Sequence, residues 1–85
     1  MKIGDLVEHR NYGLGVVVEV ISYEQYRKNA PNPHQVSQFF PLIRITVFEP
    51  IRFEYNDDYI ESKSTFLIDQ HEIREGELEV ISESR

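Results

Sequence analysis

Short runs of branched apolar residues, separated by turn-forming residues, dominate the hydrophobic pattern of this chain. Leu14–Tyr23 is rich in Val and Ile, which suit a pleated strand, and its Val16–Val18 run predicts burial on both faces. In Leu42–Phe48, Ile43, Ile45 and Val47 alternate with Arg44, Thr46 and Phe48, and Ile51–Tyr55 alternates again. Pro50 is predicted to break the strand between them, because it lacks an amide proton. Further strand patterns lie at Asp5–Arg10, Thr65–Ile68 and Leu78–Ile81. The pattern predicts an all-β or mainly β fold of five to six mostly antiparallel strands.

Glycine and asparagine mark the predicted tight turns. Residues 11–13, Asn-Tyr-Gly, predict a turn, since Asn and Gly tolerate a positive φ. We expect Gly13 or Gly15 to have a positive φ, and a side chain at Gly15 would obstruct a bulge or a close backbone crossing. Asn56, Asp57 and Asp58 predict a hairpin turn, which explains the two adjacent carboxylates better than acid–base catalysis does.

Two segments depart from the strand pattern. Asp69–Gly76 predicts one short helical turn, with Asp69 as its cap and Gly76 at its end. Residues 24–41 are predicted to be a long insert, because they contain three prolines and no periodicity. Ser22–Gln25 resembles a capping box, so about two helical turns are expected over residues 23–29. The whole chain, residues 1–85, is predicted to be one domain.

The absence of cysteine narrows the function classes. It excludes disulfides, thiolate metal sites and a cysteine nucleophile, and it favours a reducing compartment. The first residues contain no apolar segment typical of a signal peptide, and the longest apolar run, Val16–Val18, is too short to span a bilayer. We therefore expect a cytoplasmic protein, in its own cell or in an infected host cell, with no membrane partner.

The net charge of −6 is unevenly distributed. Residues 1–44 carry five Lys or Arg against four carboxylates, whereas residues 45–85 carry four against eleven. Such a field repels phosphate backbones and attracts basic partners. Nucleic acid is therefore an unfavourable partner on charge alone.

Candidate catalytic and metal-ligating residues are few. His9, His34 and His71 show none of the spacings that bring ligands together around a metal ion. The serines lack the context of an activated nucleophile, and the Gly13-Leu-Gly15 sequence has neither the ending nor the following helix of a phosphate loop. The sequence predicts no enzyme activity, no cofactor and no metal.

Seven of the ten aromatic residues fall into two groups. Phe48, Phe53 and Phe66 lie in strand patterns and are predicted to be mostly core. A second group flanks or occupies the insert: Tyr23, Tyr26, Phe39 and Phe40. These are the predicted partner-binding residues, because aromatic side chains contribute large contact areas at low entropic cost. The alternative is that the Phe39–Phe40 pair packs the insert back onto the domain.

Residues 3–17, Ile-Gly-Asp-Leu-Val-Glu-His-Arg-Asn-Tyr-Gly-Leu-Gly-Val-Val, resemble the opening of SH3- and Tudor-like barrels. The pattern is similar to RNA-polymerase-interacting domains of the CarD and transcription-repair-coupling-factor type. It is also similar to the C-terminal Tudor-like domain of some helicases and to small SH3-like proteins of bacteriophages. In these families a Gly-Asp pair starts the first strand, and an aromatic-Gly-x-Gly turn leads into a long second strand. The matching positions are Gly4, Asp5, Tyr12, Gly13 and Gly15.

The resemblance extends over residues 3–21 and, in the last strand, over Glu77–Ser82, and it implies a small SH3/Tudor-like barrel. It also implies a protein-interaction module, of phage or cellular origin, that pairs a sheet edge with a larger transcription or replication protein. Two alternatives remain open. One is an acidic nucleic-acid mimic that binds a basic protein through the carboxylates of residues 54–83; the other is a weak DNA- or RNA-binding barrel that uses Arg27 and Lys28.

Overall fold

A computed structural model describes residues 1–29, 37–56 and 59–84 of the chain. Five antiparallel strands form one sheet in the order β4-β3-β2-β1-β5. The strands are β1 (Leu6–His9), β2 (Gly13–Ile21), β3 (Leu42–Asn56), β4 (Tyr59–Ile68) and β5 (Leu78–Ser82). The helices are α1 (Tyr23–Asn29) and α2 (Gln70–Arg74), and a 3₁₀ turn lies at Ser37–Phe39. The predicted all-β class is confirmed, but over the described residues the sheet is not closed into a barrel, because β4 and β5 lie at opposite ends of the order.

The core lies on the inner face of this sheet. Val7, Val17 and Ile45 are fully or almost fully buried. The other buried members of the cluster are Ile43, Val47, Phe66, Ile68 and Leu78. The predicted burial of Val16–Val18 on both faces is wrong for Val18, which is exposed at an irregularity in the β2–β3 register.

Pro50 does not end β3, contrary to the sequence-based prediction. The strand continues to Asn56, and its register with β4 shifts between Thr46 and Ile51. A proline cannot donate to the ladder, and a local register shift is where sheets tolerate one. Because β3 continues beyond Pro50, β4 also begins earlier than predicted, at Tyr59.

Both short helices form where the capping patterns predict them. The Ser22 hydroxyl oxygen accepts a 3.1 Å hydrogen bond from the Gln25 N–H, and Asp69 Oδ1 accepts one of 2.8 Å from the Glu72 N–H. Gly76 follows α2 with a φ of +81°. Neither helix, of seven and five residues, is long enough to cross a membrane, and these are the only α-helices of the described residues. The predictions for His34, Asp57 and Asp58, and for the insert over residues 30–36, lie outside those residues.

Candidate protein-interaction surface

Gly4 and Asp5 form the turn that begins β1. Asp5 is buried, and its Oδ2 accepts a 2.9 Å hydrogen bond from the Lys2 N–H. Its Oδ1 accepts a 2.7 Å bond from the N–H of Ser84, just beyond β5. These two bonds, of which the one from Ser84 has the larger effect, hold the pKa of the Asp5 carboxyl below its usual value. Gly4 has a φ of +94°, and a Cβ there would lie 2.8 Å from the Ser84 hydroxyl oxygen. The motif therefore joins the start of β1 to the chain just beyond β5, the neighbouring strand.

The aromatic-Gly-x-Gly motif also has a structural role. The Tyr12 ring stacks between His9 and Phe66, with centroid distances of 4.2 and 3.9 Å. Gly13 has a φ of +87°, as predicted for this turn. Gly15 is required for a different reason, because a Cβ there would lie 2.6 Å from the backbone oxygen of Thr46 on β3. The predicted close backbone crossing is confirmed.

Three of the four predicted partner-binding aromatics lie together at the start of the insert and at its return. The Phe40 ring lies 5.3 Å from that of Tyr23, edge to face, and 5.2 Å from that of Tyr26. Phe40 is 9% exposed, which leaves it little area for a partner. Phe39 is half-buried in the 3₁₀ turn and has no ring contact to these three among the described residues. Phe40 packs α1 against the entry into β3, and partner binding by Tyr23, Tyr26 and Phe39 stays a prediction.

A second apolar surface lies on the outer face of the sheet, and we call Leu14, the partly exposed Val16 and Phe48 the outer-face patch. Leu14 is 46% exposed and Phe48 60% exposed. Both line a cleft of about 230 Å³ together with Tyr12, Gly13 and Glu49. Val16 lies between Leu6 of β1 and Thr46 of β3 in the sheet register. The outer-face patch therefore crosses the β2–β3 pair on the side away from the core.

The prediction that Phe48 belongs to the core is wrong. Alternation in β3 places Ile43, Ile45 and Val47 on the core face and leaves Phe48 on the outer face, as its exposure shows. The signal was present in the sequence, because Phe48 shares its alternation phase with Arg44 and Thr46. A large aromatic residue in phase with polar ones indicates a surface position.

A cluster of His9, Glu72 and Glu77 is the one place where described side chains could hold a cation. One ligand atom from each residue lies within 4.8 Å of the others, and His9 is only 3% exposed. Nδ1 of His9 accepts a 3.0 Å hydrogen bond from the Asn11 N–H, so the proton of the neutral ring is on Nε2. Nε2 is buried with no hydrogen-bond partner among the described residues. In this tautomer Nε2 has no lone pair for a metal ion, and its N–H donates to neither Glu72 nor Glu77.

The same cluster should make stability depend on pH. Burial lowers the pKa of His9, with Glu77 opposing, and burial raises the pKa of Glu72, helped by Asp69 and Glu77. Below pH 6.5 the unfolded chain then binds more protons at His9 than the folded chain does, so acid destabilises the fold. Glu72 has the opposite effect above pH 4.5. Its carboxyl holds the proton more tightly in the folded chain, so its contribution to stability falls as the pH rises.

We therefore expect the unfolding free energy of the Glu72→Gln variant to fall between pH 6.5 and 5. The slope should be at most about 1.4 kcal/mol per pH unit, the limit for one proton. Urea unfolding at several pH values measures it. The slope should disappear when His9→Gln is added and persist when the exposed His71 is changed to Gln instead. A flat profile in Glu72→Gln would contradict the assignment to His9.

Comparisons with protein-family models, with curated proteins and with solved structures find no match for this chain. The structure shows a small five-stranded antiparallel sheet, which is compatible with a small β fold. The resemblance to SH3/Tudor-like and CarD-type domains stays a prediction from residues 3–21 and 77–82.

Proposed function

We propose that this chain is a small non-catalytic protein-interaction module that binds a larger protein through the outer-face patch. The observation that carries the proposal is the exposure of Leu14 and Phe48 side by side at one cleft. Adjacent exposed apolar side chains rimmed by polar groups mark interaction sites, and aromatic residues are enriched in the centres of interfaces. Phe48 would be the main anchor, and Leu14 would form the wall beside it.

The charges around the outer-face patch define the partner further. Glu8 lies directly opposite Leu14 in the β1–β2 register, and Glu49 lines the cleft. Arg44, in the same alternation phase as Phe48, is already paired, since its Nε lies 2.8 Å from Glu19 Oε1. An acidic rim around an apolar anchor favours a partner that carries Lys or Arg around an apolar side chain.

The resemblance to polymerase-interacting domains supports a transcription or replication component as that partner, in a phage or a cellular setting. The acidic nucleic-acid mimic remains the alternative, because it also requires a basic partner. Salt concentration separates the two, since charge-driven binding weakens strongly with salt and apolar anchoring mostly persists.

Phe48→Ala is expected to weaken binding of the captured partner by about 1–3 kcal/mol, which is typical of an anchor residue. Its melting temperature should change little, because an exposed substitution usually costs within about 0.5 kcal/mol. The experiment captures partners from host extract on the immobilised chain, identifies them by mass spectrometry and titrates the purified partner against each variant at low and high salt.

Two matched variants make this experiment decisive. Leu67→Ala removes another exposed apolar side chain from β4 and should bind normally. Tyr26→Ala tests the surface predicted from the sequence. If Phe48→Ala binds like Leu67→Ala, the outer-face patch is not the binding surface, and a loss confined to Tyr26→Ala would place it at the insert.

A further inference from the structure

The two ends of the open sheet differ in what they expose. β5 has five residues, and its first, Leu78, is buried. β4 has ten residues and, over the described part of the chain, pairs with β3 alone. An edge strand presents unpaired N–H and C=O groups and is a template for another strand. β4 is therefore the longer template.

The centre of β4 carries two opposite charges in a self-complementary order. Glu61 and Lys63 lie two residues apart, on the same side of the strand, with Ser62 between them. The ion pairs of the described residues are Arg44–Glu19, Arg52–Glu54 and His71–Glu75, and they include neither Glu61 nor Lys63. The Glu61 carboxylate is bound by the Tyr55 hydroxyl, an interaction that raises the pKa of Tyr55.

We propose that β4 pairs antiparallel with β4 of a second copy of this chain, about a two-fold axis at Ser62. This register places Glu61 of each copy opposite Lys63 of the other, so both charges are matched twice. Residues directly opposite each other in an antiparallel pair point to the same side of the sheet. In the neighbouring two-fold registers, each residue therefore faces a partner two positions away from its partner in this one. Those registers place Glu61 opposite Glu61 or Lys63 opposite Lys63, which is destabilising.

The same register covers exposed apolar side chains. Ile60, 49% exposed, lies opposite Ser64, and Tyr59, 54% exposed, lies opposite Thr65. Pairing over residues 59–65 gives a contact about 24 Å long at about 3.4 Å per residue. The interface is isologous, and it joins two five-stranded sheets through their edges. It does not involve the outer-face patch, so it stands independently of the proposed function.

Charge exchange at two positions tests the pairing. E61K makes a copy that is basic at both positions, and K63E makes one that is acidic at both, so each alone should dimerise at least about tenfold more weakly than the wild type. The double variant E61K/K63E restores the complementary order and should dimerise like the wild type. An equimolar mixture of the two single variants should form heterodimers. Sedimentation equilibrium over a range of concentrations measures all four samples.

Controls separate the pairing from loss of folding. Tyr55→Phe removes the hydroxyl contact to Glu61 without changing charge and should leave dimerisation intact. Thermal melts of each variant establish that the monomer is folded, and Phe48→Ala should not alter self-association. A wild type that stays monomeric at millimolar concentration overturns the proposal, and so does a mixture of the single variants that associates no better than either alone. A monomeric wild type would identify Lys63 as a residue that keeps the edge unpaired.

Discussion

Gly15→Ala is expected to destabilise the fold by about 1–3 kcal/mol or more, because the added methyl group overlaps a neighbouring strand. The new Cβ would lie 2.6 Å from the Thr46 backbone oxygen and 3.1 Å from the Cα of Val47. Both are backbone atoms at the centre of the sheet, so neither can rotate away as a side chain could. The β2–β3 pair would have to separate locally, and it contributes Val17, Ile45 and Val47 to the core.

Gly13 is the matched control because its need for glycine has a different cause. A Cβ at Gly13 meets nothing within 4 Å, but its φ of +87° is unfavourable for a side chain. Gly13→Ala should cost about 1 kcal/mol, and Gly13→Asn less, since Asn tolerates positive φ better than Ala does. At Gly15, Asn should be no better than Ala. Denaturant unfolding of the four variants measures this pattern, and equal losses for Gly13→Asn and Gly15→Asn would show that the strand crossing is not tight.

Ile45→Ala is expected to cost about 2–5 kcal/mol, since Ile45 is fully buried among the core strands. Phe40→Ala should cost about 3–5 kcal/mol, because the ring is 9% exposed and contacts Tyr23 and Tyr26. Tyr26 and Phe39 are half-buried, so Tyr26→Ala and Phe39→Ala should each lower the unfolding free energy clearly less than Ile45→Ala does. Thermal melts of the four variants decide between core and surface roles. If Tyr26→Ala and Phe39→Ala melt at as low a temperature as Ile45→Ala, these two aromatics are core residues and the binding site predicted at the insert is wrong.

The strands that the sequence predicts well are those whose two faces differ. Alternation located the parts of β2 and β3 that contribute to the core, because only one face of each strand packs into the cluster around Ile45. The first half of β4, residues 59–64, was not predicted because it contains little apolar alternation. It is held as a strand by pairing with the part of β3 beyond Pro50. That pairing depends on a register shift, which no local pattern encodes.

The features of the candidate sites also fall into those that the local sequence predicts and those that depend on tertiary packing. The turn at Gly13 and the cap at Asp69 were predictable, because backbone conformation and capping depend on a few neighbouring residues. The approach of Glu72 and Glu77 to His9 was not, because it depends on how α2 and β5 pack against β1. The exposure of Phe48 could have been predicted from its alternation phase, but its aromatic character suggested burial instead.

The position of β1 in the sheet has a consequence for the order in which the chain can fold during synthesis. β1 lies between β2, which follows it at once, and β5, which is synthesised after all the other strands. A ribosome delivering about 5–20 residues per second completes β1 and β2 well before β5 emerges. Until then β1 has a free edge, Leu78 is missing from the core, and Asp5 lacks the Ser84 bond. The nascent chain therefore cannot reach its native sheet until β5 has left the exit tunnel.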